Sequence, residues 1–242
     1  MFALNVGSVR DRITFAGIAF RASTQPTQAV PKSNIYILMT PDALFERLKH
    51  PNPNLRQQAM IELAEVRDET TIPRLISVLD QEDVTYRRAA VLALGVIGAE
   101  AVPAIVAELQ ASENVTVRSS CAKALAQIAV NYPESDFPAA GLQGLKLALT
   151  DDNPVVYIAS AMALGEMGQP ALPILVDGLA TTDNVAAQVS MVNALAAVGG
   201  DEAAAVLARF STDEAADSYV RETAVSALSR LEMVKNNRYP GR

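Results

Sequence analysis

The chain has 242 residues, half of them hydrophobic but only 5% aromatic and none Trp; that apolar mass suits a core of Ala, Leu and Val and excludes a disordered protein. Its 20 Lys and Arg against 27 Asp and Glu leave a net charge of −7, the wrong sign for sequence-independent nucleic-acid binding. One His and one Cys exclude a His/Cys zinc cluster and an internal disulfide, and the lone thiol fits a reducing, cytoplasmic setting.

Residues 1–40 stand apart from the rest of the chain. They carry Arg10, Arg12, Arg21 and Lys32 against Asp11 alone, a net +3 beside −10 for the remainder. The stretch STQPTQAVPKSN (23–34) reads as a linker. The apolar run before it is short and broken by charge, so it does not span a membrane. The expectation here is a disordered extension, or a stretch lying ahead of a true start at Met39. An Arg-containing, acid-poor transit peptide is the alternative.

From residue 41 the chain repeats itself. The segments PNLRQQAMIELAEV, VTYRRAAVLALGVI, VTVRSSCAKALAQI, PVVYIASAMALGEM, VAAQVSMVNALAAV and SYVRETAVSALSRL align on their fourth residue. That residue, position zero, is Arg56, Arg87, Arg118, Tyr157, Gln188 or Arg221. Seven residues later each segment has Leu, and four residues earlier each has Asp or Asn. Asp and Asn are good helix N-caps, because the side-chain oxygen accepts an orphan N–H of the first turn. Offsets −1, +3, +7 and +10 form one apolar helical stripe. Gly98, Gly168 and Gly199 stop three of these helices. A shorter helix precedes each one: ALFERL, RLISVL, AIVAEL, GLQGLKLAL, ILVDGL and EAAAVLARF. Each unit is thus two antiparallel helices, and such pairs stack into a solenoid. The 39-residue step between Arg118 and Tyr157 marks an insertion, NYPESDFP (131–138), expected to form a surface loop. The tail KNNRYPGR (235–242) is polar and expected to fray.

The turn-and-helix segments DDNPVVYIASAMALGEMG (151–168) and EDVTYRRAAVLALGVIG (82–98) resemble HEAT repeats, in the short variety first named for phycobilisome lyases. The resemblance covers roughly residues 41 to 232 in six units. It implies an all-α, right-handed α-α superhelix of the HEAT/armadillo-like kind, about six helix pairs over residues 41–234. It also implies two functions. One is help in attaching bilins to phycobiliproteins, or in detaching them, with a phycobilin as transferred ligand and no permanent cofactor. The partner is then a phycobiliprotein or a second lyase subunit. The other is a non-catalytic adaptor or assembly scaffold that holds protein partners in its concave groove.

The residues themselves place the groove. Offsets +1 and +5 lie opposite the core stripe at 100° per residue, and there the sequence has Arg88, Leu92, Lys123, Ile158, Met162 and Val189. Apolar positions rimmed by charge on such a face mark a partner site. For bilin propionates the clustered candidates are Arg87, Arg88 and Arg118. His50 sits in a turn, Cys121 takes a core offset, and Asp151 and Asp152 belong to a capping turn, so no catalytic constellation and no metal site is expected. From Leu147 to Ala208 there is no Lys or Arg but seven acids, an acidic body beside the basic second and third units.

Overall fold

A computed structural model describes residues 40–238, with side chains to Met233. Among the described residues the chain forms twelve α-helices and no strand. In order they are α1 (Pro41–Arg47), α2 (Pro53–Val66), α3 (Thr71–Val78), α4 (Val84–Ile97), α5 (Val102–Ala111), α6 (Val115–Asn131), α7 (Ala139–Ala148), α8 (Pro154–Met167), α9 (Leu172–Thr181), α10 (Val185–Val198), α11 (Gly200–Thr212) and α12 (Ser218–Arg238). They make six antiparallel pairs. The readings of residues 1–39 as an extension, a leader or a miscalled start fall outside the described residues.

The local signals act as the repeat predicts. Asn52, Asp83, Asn114, Asn153, Asn184 and Asp217 each accept from the N–H two residues on, at 2.8–3.0 Å. Each such cap is worth about 1 kcal/mol. Gly98, Gly168 and Gly199 close α4, α8 and α10 with φ of +85°, +68° and +69°, a region costly for any residue with a Cβ. The Leu at offset +7 is fully buried in the first five units.

Position zero supports the turn of its own unit. Arg56 donates to the carbonyls of His50 and Pro51, Arg87 to Gln81 and Glu82, and Arg118 to Ser112 and Glu113. Gln188 reaches Thr182 O, and Arg221 reaches Ala216 O. Tyr157 is buried instead, and Arg118 of the preceding unit reaches across to Asp151 in its turn.

The second helices of successive units pack directly on one another, α4 on α6, α6 on α8 and α8 on α10. Among the first helices only α3 with α5 and α5 with α7 are in extended contact. A layer packed more tightly than its partner lies on the inside of the curve, so the second helices line the concave face.

Offset +8 of a second helix faces the next one, at offset +9 from α4 to α6 and at offsets +6 and +9 from α8 to α10. A Cβ on Gly165 of α8, for example, would lie 3.1 Å from the Ala197 Cβ and 3.3 Å from the Ala194 backbone. Offset +6 is a buried Ala in units two to six (Ala93, Ala124, Ala163, Ala194, Ala227), but in unit one it is Glu62, paired with Arg47 at 3.6 Å. At the other end, offset +8 is Ser229, exposed, where earlier units have Ala or Gly. Both ends of the array are therefore surfaced with polar groups, as a solenoid requires.

The insertion is a surface loop, exposed at 133–136, and it is held at both ends. Its first residue extends α6 to Asn131, Tyr132 donates its hydroxyl to Val96 O, and Phe137 packs where a Cβ on Gly141 would otherwise lie 2.4 Å from its ring. And α12 continues to Arg238, four residues past the expected end, so the start of the polar tail is helical.

Candidate functional site

The concave face collects the predicted residues unevenly. Lys123 of α6 and Ile158 and Met162 of α8 line one hollow of about 700 Å³. Ile158 is 38% exposed and Met162 66%, large values for apolar side chains in a folded chain. Val130 of α6 and Val155 of α8 line the same hollow and are 40% and 50% exposed. Ala126, Gln127, Ala159, Ala163 and Glu166 complete the lining. Leu92 and Val189 belong to the same face but are half-buried against the core, so they extend the floor of the strip rather than stand above it. Arg88 is exposed on α4, one helix before Lys123.

Two offsets alone do not reach Val130, Val155 and Glu166, which the sequence reading missed. The signal is nonetheless present in the repeat. One helical stripe includes −2, +5, +9 and +12 beside +1, and those offsets hold Val155, Glu166 and Val130.

Nearly all the described cationic side chains have a partner within the fold. Arg47, Lys49, Arg67, Arg74, Arg118 and Lys146 form ion pairs. Arg56, Arg87, Arg221 and Arg230 are hydrogen-bonded, and Arg209 stacks over Phe210. Among the described side chains only Arg88 and Lys123 remain uncommitted, and both stand on the concave face. Of the three arginines considered for propionates, Arg87 and Arg118 are tied to turn carbonyls, and Arg118 also grips Asp151 through two bonds of 2.8 and 3.0 Å. Arg88 is the member of the trio with a guanidinium to offer.

The remaining reactive groups are structural. Cys121 is fully buried, and burial, helped by the charge of Glu108, pushes its thiol up to about 12. His50 accepts the Asn52 N–H on Nδ1 at 3.0 Å and so helps cap α2. Asp151 accepts from the Asn153 N–H at 2.9 Å as well as from Arg118. No His, Cys, Asp and Glu group among the described residues has the geometry to hold a metal ion, and no single described helix is long and apolar enough to cross a membrane.

Comparison with known proteins places this geometry among relatives. The profile of the HEAT repeats matches residues 41–135 and 142–229. The chain is 54% identical over 196 residues to the phycocyanin operon protein Z of Pseudanabaena tenuis (strain PCC 7409), covering 81% of this chain and 97% of that one. It is 31% identical over 185 residues to the bilin biosynthesis protein CpeZ of Synechococcus sp. (strain WH8020), covering 74% and 99%. Among solved structures it is similar to the complex of CpcE and CpcF of phycocyanin lyase from Nostoc sp. PCC7120, with 20% identity, a TM-score of 0.44, and coverage of 64% of this chain and 96% of that chain.

Proposed function

We propose that this chain, which belongs to the HEAT-repeat family in its phycobilin-lyase type, assists the attachment of bilins to phycobiliproteins, or their detachment, by holding a client helix in its concave groove. The carrying observation is the hollow between α6 and α8. Four large apolar side chains stand exposed there beside the unpaired Lys123, with the unpaired Arg88 one helix away on α4. Apolar anchors inside a charged rim are the layout of a helix-binding groove. The client is a phycobiliprotein or a second lyase subunit, and the setting is the cytoplasm. A phycobilin is the transferred ligand, and Arg88 is the guanidinium available to a propionate.

The buried, high-pKa thiol of Cys121 and the structural engagement of His50 favour a second reading, a scaffold that binds partners and leaves the chemistry to them. One experiment separates the two. Wild-type protein and the double variant Ile158→Ser, Met162→Ser are used to capture partners from native lysate, and the captured material is read by visible absorbance. Recovery of phycobiliproteins or bilin by wild type, reduced at least tenfold in the variant, about 1.4 kcal/mol, supports the first reading. Recovery of an unrelated complex supports the scaffold. Equal recovery by both proteins refutes the groove.

A further inference from the structure

We infer that the groove is shaped for an amphipathic helix of about 18 residues whose carboxylates are gathered at one end; this rests on the client-holding role proposed above and names the client's chemistry. The length comes from the strip itself. Exposed or half-buried apolar side chains and uncommitted cations occur on four consecutive concave helices, from Arg88 and Leu92 on α4 to Val189 on α10. Packed helices sit 8–10 Å apart, so three steps span about 27 Å. At 1.5 Å per residue that is a helix of about 18 residues lying across the second helices. A small ligand seated in the 700 Å³ hollow between α6 and α8 leaves the α4 and α10 ends of the strip uncovered.

The charge order comes from a different observation. Among the described side chains every other cation is ion-paired, hydrogen-bonded or stacked on a ring, and the two that are not lie at the α4–α6 end; Arg230 of α12, beyond α10, is held by the Asn193 amide. From Leu147 to Ala208 there is no Lys or Arg at all, so α8 and α10 offer no cation to a carboxylate. Glu166 stands on the rim of the hollow instead. A client with acids spread along its length finds no cation on α8 or α10 and meets Glu166. A client with acids at one end and an apolar face beyond them meets Arg88 and Lys123 first, and then Val130, Ile158 and Met162. Such complementarity fixes register more than it adds affinity.

The test uses the full chain and three fluorescein-labelled synthetic 18-residue helices with one shared apolar face. The end block is Glu in the first, Gln in the second and Lys in the third. Anisotropy titrations at about 0.1 M salt, where screening acts beyond about 10 Å, read the affinities. The Glu-ended helix is expected to bind at least tenfold tighter than the Lys-ended one, with the Gln-ended helix between them. In the variant Arg88→Glu, Lys123→Glu, whose exposed side chains make no hydrogen bond or ion pair among the described residues, the order is expected to invert. Ile158→Ser with Met162→Ser is expected to weaken all three by a similar factor. Equal binding of the three helices, no binding, or an order unchanged by the charge reversal overturns the inference. A linear dicarboxylic tetrapyrrole that binds wild type while the helices do not also overturns it. If the helices are ranked as expected but phycobiliproteins are not captured from lysate, the charge rule stands and the bilin-related role fails.

Discussion

Replacing Arg118 by Ala tests how the array is held together where its repeat is interrupted. Arg118 is the position-zero residue of unit three, and its guanidinium makes four hydrogen bonds. Two go to the carbonyls of Ser112 and Glu113 in its own turn, both at 3.0 Å, and two to Asp151 in the turn of unit four. The Arg118 and Asp151 side chains are only 17% and 14% exposed. An exposed pair is worth about 0.2–1 kcal/mol, and breaking a fully buried one costs about 3–5 kcal/mol. This pair lies between those limits, so the loss is about 2–3 kcal/mol. For a domain of this size that lowers Tm by about 5–10 °C. The pH dependence supplies a second, independent check. Burial by itself raises the pKa of Asp151, but the hydrogen bonds from Arg118 and the Asn153 N–H, with the Arg118 charge, hold it below the usual carboxylate value. A carboxylate whose folded pKa is lowered adds stability that is complete above its unfolded pKa, about 3.9, and is lost as pH falls through the folded value. The gap between wild type and Arg118→Ala should therefore be full at neutral pH and shrink in strong acid. Thermal melts followed by circular dichroism at several pH values measure both. Equal melting at neutral pH, or a gap that does not shrink in acid, refutes the reasoning.

Three further outcomes are expected. Gly165→Val places a branched side chain where even a Cβ meets Ala197 at 3.1 Å, and forcing α8 from α10 should cost about 1–3 kcal/mol; a melt identical to wild type would show that the helices part freely. Cys121, buried with its thiol pushed up to about 12, should resist a thiol-titrating reagent in the native protein and react fully in urea; rapid native labelling would contradict its placement. A chain starting at Met39 should keep the melting temperature of the full chain, because the cap of α1 is Thr40 itself, which accepts from the Ala43 N–H; a lower Tm would mean that earlier residues pack on the first unit.

What is legible in the sequence is whatever a single helix decides for itself. The Asx caps, the terminal glycines and the buried Leu at offset +7 depend on local geometry and one apolar stripe, and they stand where the repeat puts them. Legibility weakens where a neighbour decides. Leu92 and Met162 share offset +5, yet Leu92 is half-buried and Met162 is 66% exposed. Periodicity gives the direction of a side chain but not how close the adjoining helix comes. The arginine trio shows the same limit from the other side. Arg87 and Arg88 are adjacent and chemically identical, but one is bonded to the turn carbonyls of Gln81 and Glu82 and the other is exposed with no hydrogen-bond partner. Composition alone makes the insertion a polar loop; Tyr132 and Phe137 pin it, because each finds a glycine, Gly98 or Gly141, with room for a ring.

The polar residues at the two ends of the array also decide what the protein does at high concentration. Each unit presents one face that fits the next, so an array with unmodified ends is a head-to-tail monomer for a filament, since a heterologous contact that does not close grows without limit. At the α12 end one apolar side chain stands open near the exposed Ser229. Val225 occupies offset +4, which is fully buried as Ala122, Ala161 and Val192 in units three to five, and it is 52% exposed. What denies it a partner is Glu62 at the opposite end, whose carboxylate would have to be stripped of water to sit where Ala sits elsewhere. Glu62 at one end and Ser229 at the other thus oppose end-to-end growth, and Glu62→Ala should make light scattering rise more steeply with concentration.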